Sequence, residues 1–207
     1  MVGMKTTNPL SVPRLPGRPR EFDAEAALDG ALQVFRERGY HATSIPDLCQ
    51  AMQLSAGSLY KAYKDKRSLF LAAFDRYVRQ RHTQLRPLLE RQPTGRAKIG
   101  TLLQFYAESS FGSEGRRGCL VAGSAAELAT YDDEMAARVV GALQDLECLL
   151  AKLIRQGQAD GSIADGVSAD DTARTLLCVV QGMRIIGKLG KSREGMLSAA
   201  QAALCLL

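Results

Sequence analysis

The chain has 207 residues, 46% hydrophobic and 24% charged, rich in alanine and leucine, poor in aromatics and without tryptophan. That balance excludes a disordered chain and predicts an all-helical protein, long enough for one large or two small domains whose core needs neither disulfides nor a metal. The net charge is +5: residues 1–90 carry 14 basic and 9 acidic side chains, and residues 91–207 carry 13 of each. A polyanion-binding N-terminal region joined to a neutral domain fits that asymmetry. No apolar run approaches a membrane span and no apolar signal region opens the chain, which predicts a cytosolic (cytoplasmic) protein with no membrane partner. Cys49, Cys119, Cys148, Cys178 and Cys205 lack metal-ligand or redox-motif spacing, so reduced thiols are expected. With His41 and His82 the only histidines, a metal site or histidine-based catalysis has almost no material. Phosphate-binding glycine loops are absent, so neither an enzyme nor a cofactor is expected.

Residues 1–19 hold Pro9, Pro13, Pro16 and Pro19 and read as a disordered, basic arm. Arg18 and Arg20, with Arg14, suit a narrow A·T-rich minor groove, and a solvated tail explains them equally well. From Phe22, the apolar positions Ala24, Ala27, Leu28, Ala31 and Phe35 repeat at helical spacing, and Gly39 stops the helix. Ser44 with Asp47 three residues on predicts a capped second helix that tolerates Pro46 in its first turn. Its inner face is Ile45, Leu48, Cys49 and Met52. Ser55 caps a short third helix carrying Leu59 and Tyr63. Asp65 caps a fourth, with Leu69, Phe70, Ala73, Phe74 and Tyr77 inward and Pro87 bending or ending it.

Beyond a joint at Pro93 and Gly95, a helix is expected from Arg96 to Phe111, then a loop over "GSEGRRG". A helix follows from Cys119 to Ala129. Asp132 opens a long helix, Ser168 with Asp171 opens another to Leu189, and Ser192 caps the last. About nine helices result, with no strand period and no internal repeat.

Two short helices joined by a tight turn and braced by a first make a helix-turn-helix, which places its second helix in the DNA major groove. Here that helix is "SAGSLYKAY". Its outward side presents Ala56, Gly57, Ser58, Tyr60 and Lys61: small residues that admit the DNA backbone, hydroxyls for phosphates, and a lysine for a base or phosphate. Lys66, beside the free N–H groups of the next helix, suits a phosphate. A compact subdomain with a solvated basic face is the alternative reading of these residues.

"GYHATSIPDLCQAMQLSAGSLYKAYKDKRSLF" resembles the DNA-binding domain of the TetR family of bacterial transcriptional regulators. Gly39-Tyr40, Thr43-Ser44, Ser55, Gly57, Leu59-Tyr60, Tyr63 and Lys66 fit the family pattern, and the likeness runs from Glu21 to Tyr77. The resemblance implies phosphate contacts from Thr43, Ser44, Tyr60 and Lys66 and groove-facing positions at Ala56, Gly57, Ser58 and Lys61. Gln53 stands where the family usually has glycine in the turn, and a left-handed residue there costs about 1 kcal/mol. Ala62 replaces a common histidine. Pro46 replaces a polar side chain able to reach DNA.

The resemblance further implies a helix-turn-helix domain over residues 20–66, bound to a double-stranded DNA operator, and a helical bundle over 67–207. That bundle would bind a small-molecule inducer and form a homodimer through the last two helices. The apolar stripes Leu176, Leu177, Val179, Val180 and Met183, and Leu197, Ala200, Ala203 and Leu204, fit either a core or such an interface. "RRGCLVAGSAAELA" resembles a subgroup with a Gly-Cys dipeptide at this point. Cys119, near a helix N-terminus and beside Arg116 and Arg117, is placed to form a thiolate. It then reads as a redox or electrophile sensor, or as a small buried apolar residue. The other cysteines read as packing. Phe74, Tyr77, Phe105, Tyr106, Phe111, Cys119, Leu120 and Met183 are the residues expected to line an inducer pocket, and each also fits plain core. The mechanism expected is a dimeric repressor released from its operator by a small molecule, with the fourth helix acting as a lever.

Overall fold

The computed structural model describes residues 24–207. The arm with Arg18 and Arg20 lies outside the described residues. Ten α-helices follow in order: α1 (Ala24–Arg38), α2 (Ile45–Met52), α3 (Ala56–Ala62), α4 (Lys66–Glu90), α5 (Gly95–Glu108), α6 (Gly112–Arg117), α7 (Leu120–Glu127), α8 (Asp133–Ala159), α9 (Ala169–Ile186) and α10 (Arg193–Ala203). Short 3-10 turns at Gly187–Leu189 and Leu204–Leu206 extend the last two. The described residues contain no strand, as expected of an all-helical chain.

Local chemistry sets most of the helix starts. Ser44 accepts the Asp47 N–H while the Asp47 side chain accepts the Ser44 N–H, the reciprocal pairing of a capping box. Asp65 and Ser68 do the same for α4, and Ser55, Thr94, Asp132, Ser168 and Ser192 cap α3, α5, α8, α9 and α10. Gly39 ends α1 at φ +81, and a Cβ there would sit 2.6 Å from Glu127 Oε2, so both its backbone angle and its neighbour require glycine. Gln53 takes the left-handed conformation (φ 54) at the end of α2, the position where the sequence departs from glycine.

Three details differ from the sequence reading. α4 continues past Pro87 to Glu90. The carbonyl that Pro87 cannot serve belongs to Thr83, which is exposed to water. α5 stops at Glu108 and not at Phe111, because the Ser109 and Ser110 hydroxyls donate back to the Phe105 and Tyr106 carbonyls (2.8 and 2.7 Å). The glycine-rich stretch read as a loop forms α6. Its Gly115 lies so close to the Ser110 backbone that any side chain would clash.

Two cores form. The first joins Ala31, Phe35, Leu48, Met52 and Leu59 of the helix-turn-helix to Leu69, Phe70, Phe74 and Tyr77 of α4, Leu120 and Val121 of α7, and Met135 and Val139 of α8. The second packs the end of α4 with α5, α8, α9 and α10. α4 therefore runs from one core to the other, and the boundary expected at residue 66 is crossed by continuous packing. Each fully buried leucine among these contributes about 1.5–3 kcal/mol. Of the apolar stripe of α10, Ala200 and Ala203 are buried with Met196, mainly against α5, and Leu197 and Leu204 are half-buried.

Candidate functional site

The helix-turn-helix presents a continuous exposed surface. Ser44, Ala56, Gly57, Ser58, Tyr60, Lys61 and Lys64 are all exposed, and Leu59 alone of α3 is buried. Gly57 is informative: a Cβ there would meet nothing nearer than Ser55 Oγ at 3.9 Å, so the fold itself does not require glycine. Lys66 is half-buried, its Nζ 4.4 Å above the Tyr40 ring. Thr43 does not share this surface. It is 1% exposed and its hydroxyl donates to the Gly39 carbonyl (2.6 Å), so its side chain braces the turn and is unavailable to a phosphate. Arg38 pairs with Asp47 (2.6 Å), tying the end of α1 to the start of α2. The Ser44 contacts and Arg38 together hold the Asp47 carboxyl down at about 2.

Behind this unit lies a cavity of about 410 Å³. Its walls come from both halves of the chain: Phe35, Tyr40 and His41 from α1 and the turn after it, and Cys119, Glu127 and Arg184 from α7 and α9. Glu127, the last residue of α7, accepts the Tyr40 N–H (3.0 Å) on one oxygen and the His41 N–H (2.6 Å) on the other. Cys119 is the N-cap residue of the same helix. One eight-residue helix thus connects the cavity thiol to the turn that leads into the DNA-reading helices.

Three arginines converge beside Cys119. Arg36 donates to the Gly118 carbonyl (2.7 Å) and pairs with Glu114 (2.6 Å). Arg184, 2% exposed, donates to the Ser109 carbonyl, to the Tyr77 hydroxyl (3.2 Å) and to the Gly118 carbonyl (3.3 Å). Arg81 donates to the Ser109 hydroxyl (2.7 Å) and lies 4.1 Å over the Phe105 ring. Burial pushes the Cys119 thiol up. The Arg184 guanidinium, the Ala122 N–H and the Tyr77 hydroxyl outweigh it, and the net shift is downward. Tyr77 is pushed up to about 12, first by burial and then by the negative sulfur beside it.

The arginine that acts on Cys119 is not one of its neighbours in the sequence. Arg116 is exposed, and Arg117 pairs with Glu37 (3.4 Å) and Glu114 (3.7 Å); neither is what lowers the thiol. Of the residues expected to line a pocket, Cys119 and Leu120 line this cavity. Phe74, Tyr77 and Met183 are buried in the cores, and Phe105, Tyr106 and Phe111 pack on the second core. The aromatic residues that do line the cavity, Phe35, Tyr40 and Phe70, belong to the first core or pack on it and come from α1, the turn after it and the start of α4. Cys148, Cys178 and Cys205 are exposed and not packed as expected, and Cys49 is half-buried. Arg184 and Glu127 escaped sequence reading. The available signal was Arg184 at helical spacing from Val180 on the buried face of α9, a charge where the pattern calls for an apolar residue. Among the described residues no group of acidic, histidine or cysteine side chains could hold a metal ion, and no helix is long and apolar enough to cross a membrane.

Comparisons with known proteins agree with this architecture. The pattern for bacterial regulatory proteins of the tetR family matches residues 27–73, and that for the tetracyclin repressor-like C-terminal domain matches residues 95–203. The chain is 29% identical over 204 residues to the HTH-type transcriptional repressor ComR of Escherichia coli, covering 98% of this chain and 97% of ComR. It is 29% identical over 199 residues to the transcriptional regulator AcuR of Cereibacter sphaeroides, covering 89% and 88% of the two chains. Among solved structures, a cysteine mutant of the TetR family transcriptional regulator CifR, complexed with 26-bp double-strand operator DNA, superposes with a TM-score of 0.81 at 30% identity. That match covers 91% of this chain and 98% of CifR. With family patterns matched in both halves and full-length relatives that regulate transcription, the chain belongs to the TetR family of bacterial DNA-binding transcriptional regulators.

Proposed function

We propose that this protein is a dimeric repressor that leaves its operator when a small molecule fills the cavity between its two halves. The observation that carries this reading is the shared wall. The helix-turn-helix supplies Phe35, Tyr40 and His41 and the larger domain supplies Cys119, Glu127 and Arg184, so an occupant meets both at once. A ligand that binds better when these walls separate lowers DNA affinity by its differential binding energy. The transmitting element is α7, with Glu127 holding the Tyr40 and His41 amides, acting more directly than α4 as a lever. Ala56, Gly57, Ser58 and Lys61 face the groove, with Ser44, Tyr60 and Lys66 on phosphates. The dimer forms on the outer side of the end of α9 and the adjoining α8, where Ile186, Leu189 and Val140 are 38%, 78% and 50% exposed. α10, the other helix expected in this role, buries Met196, Ala200 and Ala203 and leaves Leu197 and Leu204 half-buried along a groove with α5.

The test is an anisotropy titration against the DNA upstream of the protein's own gene at two salt concentrations. Tight, selective binding that weakens with salt is expected. Affinity equal to that for random DNA would sink the reading.

A second reading has its own observation. Cys119 is a cavity thiol whose ionisation Arg184 favours. A thiolate there adds to the β-carbon of an α,β-unsaturated carbonyl, the carbon–carbon π bond breaking and the α-carbon taking a proton from water, to leave a thioether, so release would follow covalent modification. Cys119→Ser separates the two: release by electrophiles that survives the substitution rules out covalent sensing at this residue.

A further inference from the structure

The charges around the cavity do not cancel. Arg36 has Glu114 and Arg38 has Asp47 as partners, but neither Arg184 nor Arg81 forms an ion pair with any carboxylate among the described residues. Both have a buried Nε without a hydrogen-bond partner. They share Ser109, Arg184 through its carbonyl and Arg81 through its hydroxyl, so two like charges sit side by side. A buried guanidinium without a carboxylate partner is costly, and a carboxylate is the partner that matches its planar donors. Of the cavity's charged side chains, Arg36, Arg38, Arg184 and Lys188 are cationic and Glu127 alone is acidic. Glu127 has both oxygens engaged by the Tyr40 and His41 amides at the end of α7 opposite Cys119. The remaining wall is largely apolar, with Phe35, Phe70, Leu120 and Ala122.

The geometry points to Arg184 as the anchor of an anion subsite, and to a small organic carboxylate with an apolar body as the class of ligand that fills the cavity. This inference rests on the cavity being the effector site and names what that site selects. Within the free protein Tyr77 and Cys119 are the groups beside Arg184 that can carry negative charge, and with Tyr77 pushed up to about 12 the Cys119 sulfur is the one that ionises first. An incoming carboxylate competes with it for the same guanidinium. The thiol then loses the influence that favours its ionised form and becomes less reactive.

That competition gives a test that needs no DNA. The full chain is treated with iodoacetamide, in which the Cys119 sulfur displaces iodide to form a thioether, and modification of each cysteine is followed by mass spectrometry. Cys148, Cys178 and Cys205 are exposed and serve as internal controls. Butyrate, hexanoate and benzoate are compared with butyramide, hexanamide and benzamide. The acids are expected to slow alkylation of Cys119 about tenfold at saturation, the effect of one unit in thiol pKa, and to leave the control cysteines unchanged. The acids also raise the melting temperature of the full chain, and the amides do not. Amides that protect as well as acids would show an apolar cavity without an anion subsite and overturn the proposal. So would a set of acids that neither protects nor stabilises. Arg184→Gln is expected to abolish the difference between acid and amide, and Arg184→Lys to retain part of it. If Arg184→Gln does not fold, the contrast in the native chain still decides. A protein that fails to bind operator DNA but shows this contrast would lose the repressor reading and keep the subsite.

Discussion

In the helix-turn-helix, Ser44 answers Asp47, Ser55 answers Ser58 and Asp65 answers Ser68, each pair three residues apart. Around the cavity, Arg184 reaches Ser109 across 75 residues, Arg36 reaches Gly118 across 82 and Glu127 reaches Tyr40 across 87. The two regions touch, yet they are assembled by different physics. The DNA-reading helices begin and end where neighbouring side chains satisfy the free backbone groups of a helix terminus. The cavity exists only after α1, α4, α7 and α9 have packed, because its polar groups have no partners until then. A surface built from local pairs tolerates change in distant residues. A cavity built from long-range contacts transmits change to whatever its walls support.

Phe35 belongs to both regions, lining the cavity and packing edge-to-face on Phe70 at 4.8 Å. Phe35→Ala breaks the comparison altogether: it is expected to cost about 3–5 kcal/mol by thermal or urea denaturation and to impair DNA binding as well. Gly57→Leu sharpens it from the DNA side. With open space around the Cβ, stability should hold or rise by about 0.5–1 kcal/mol, while operator affinity falls about thirtyfold, roughly 2 kcal/mol, by anisotropy. A parallel loss of stability and affinity would mean that Gly57 serves the fold and not DNA. Glu127→Gln tests the contact between the regions. Glutamine keeps one acceptor oxygen, so one of the two backbone amides loses its partner and the other loses the charge; the change should cost about 1–3 kcal/mol, read as faster hydrogen exchange at the Tyr40 and His41 amides with little change at Ser58. The smallest effect is expected at Gln53. Gln53→Gly relieves the left-handed strain at the end of α2 and should stabilise the protein by about 0.5–1 kcal/mol, the gain reduced by glycine's freedom in the unfolded chain.

What could be read in advance follows the same division. The caps at Ser44, Ser55, Asp65, Asp132, Ser168 and Ser192 were all legible, because a hydroxyl or carboxylate before an apolar helical pattern has few other uses. Exposure of Ala56, Gly57, Ser58, Tyr60 and Lys61 followed from Leu59 pointing inward. Thr43 was misplaced because a hydroxyl beside a turn serves the backbone as readily as it serves a phosphate. Aromatic residues offered for the pocket were core residues, since periodicity marks which side chains are buried and not which of them border an empty space.

The sequence by itself determined the helical class, nearly every helix start, and the surface that α3 presents, since each depends on residues within a turn or two of one another. Only the tertiary structure decided that the cavity lies between the two halves, that Arg184 and not Arg116 or Arg117 favours the ionised Cys119 against its burial, and that Glu127 ties α7 to the turn after α1. Electrostatic influence falls with distance in space, and segments 65 or more residues apart acquire such a distance only when the cores close around them.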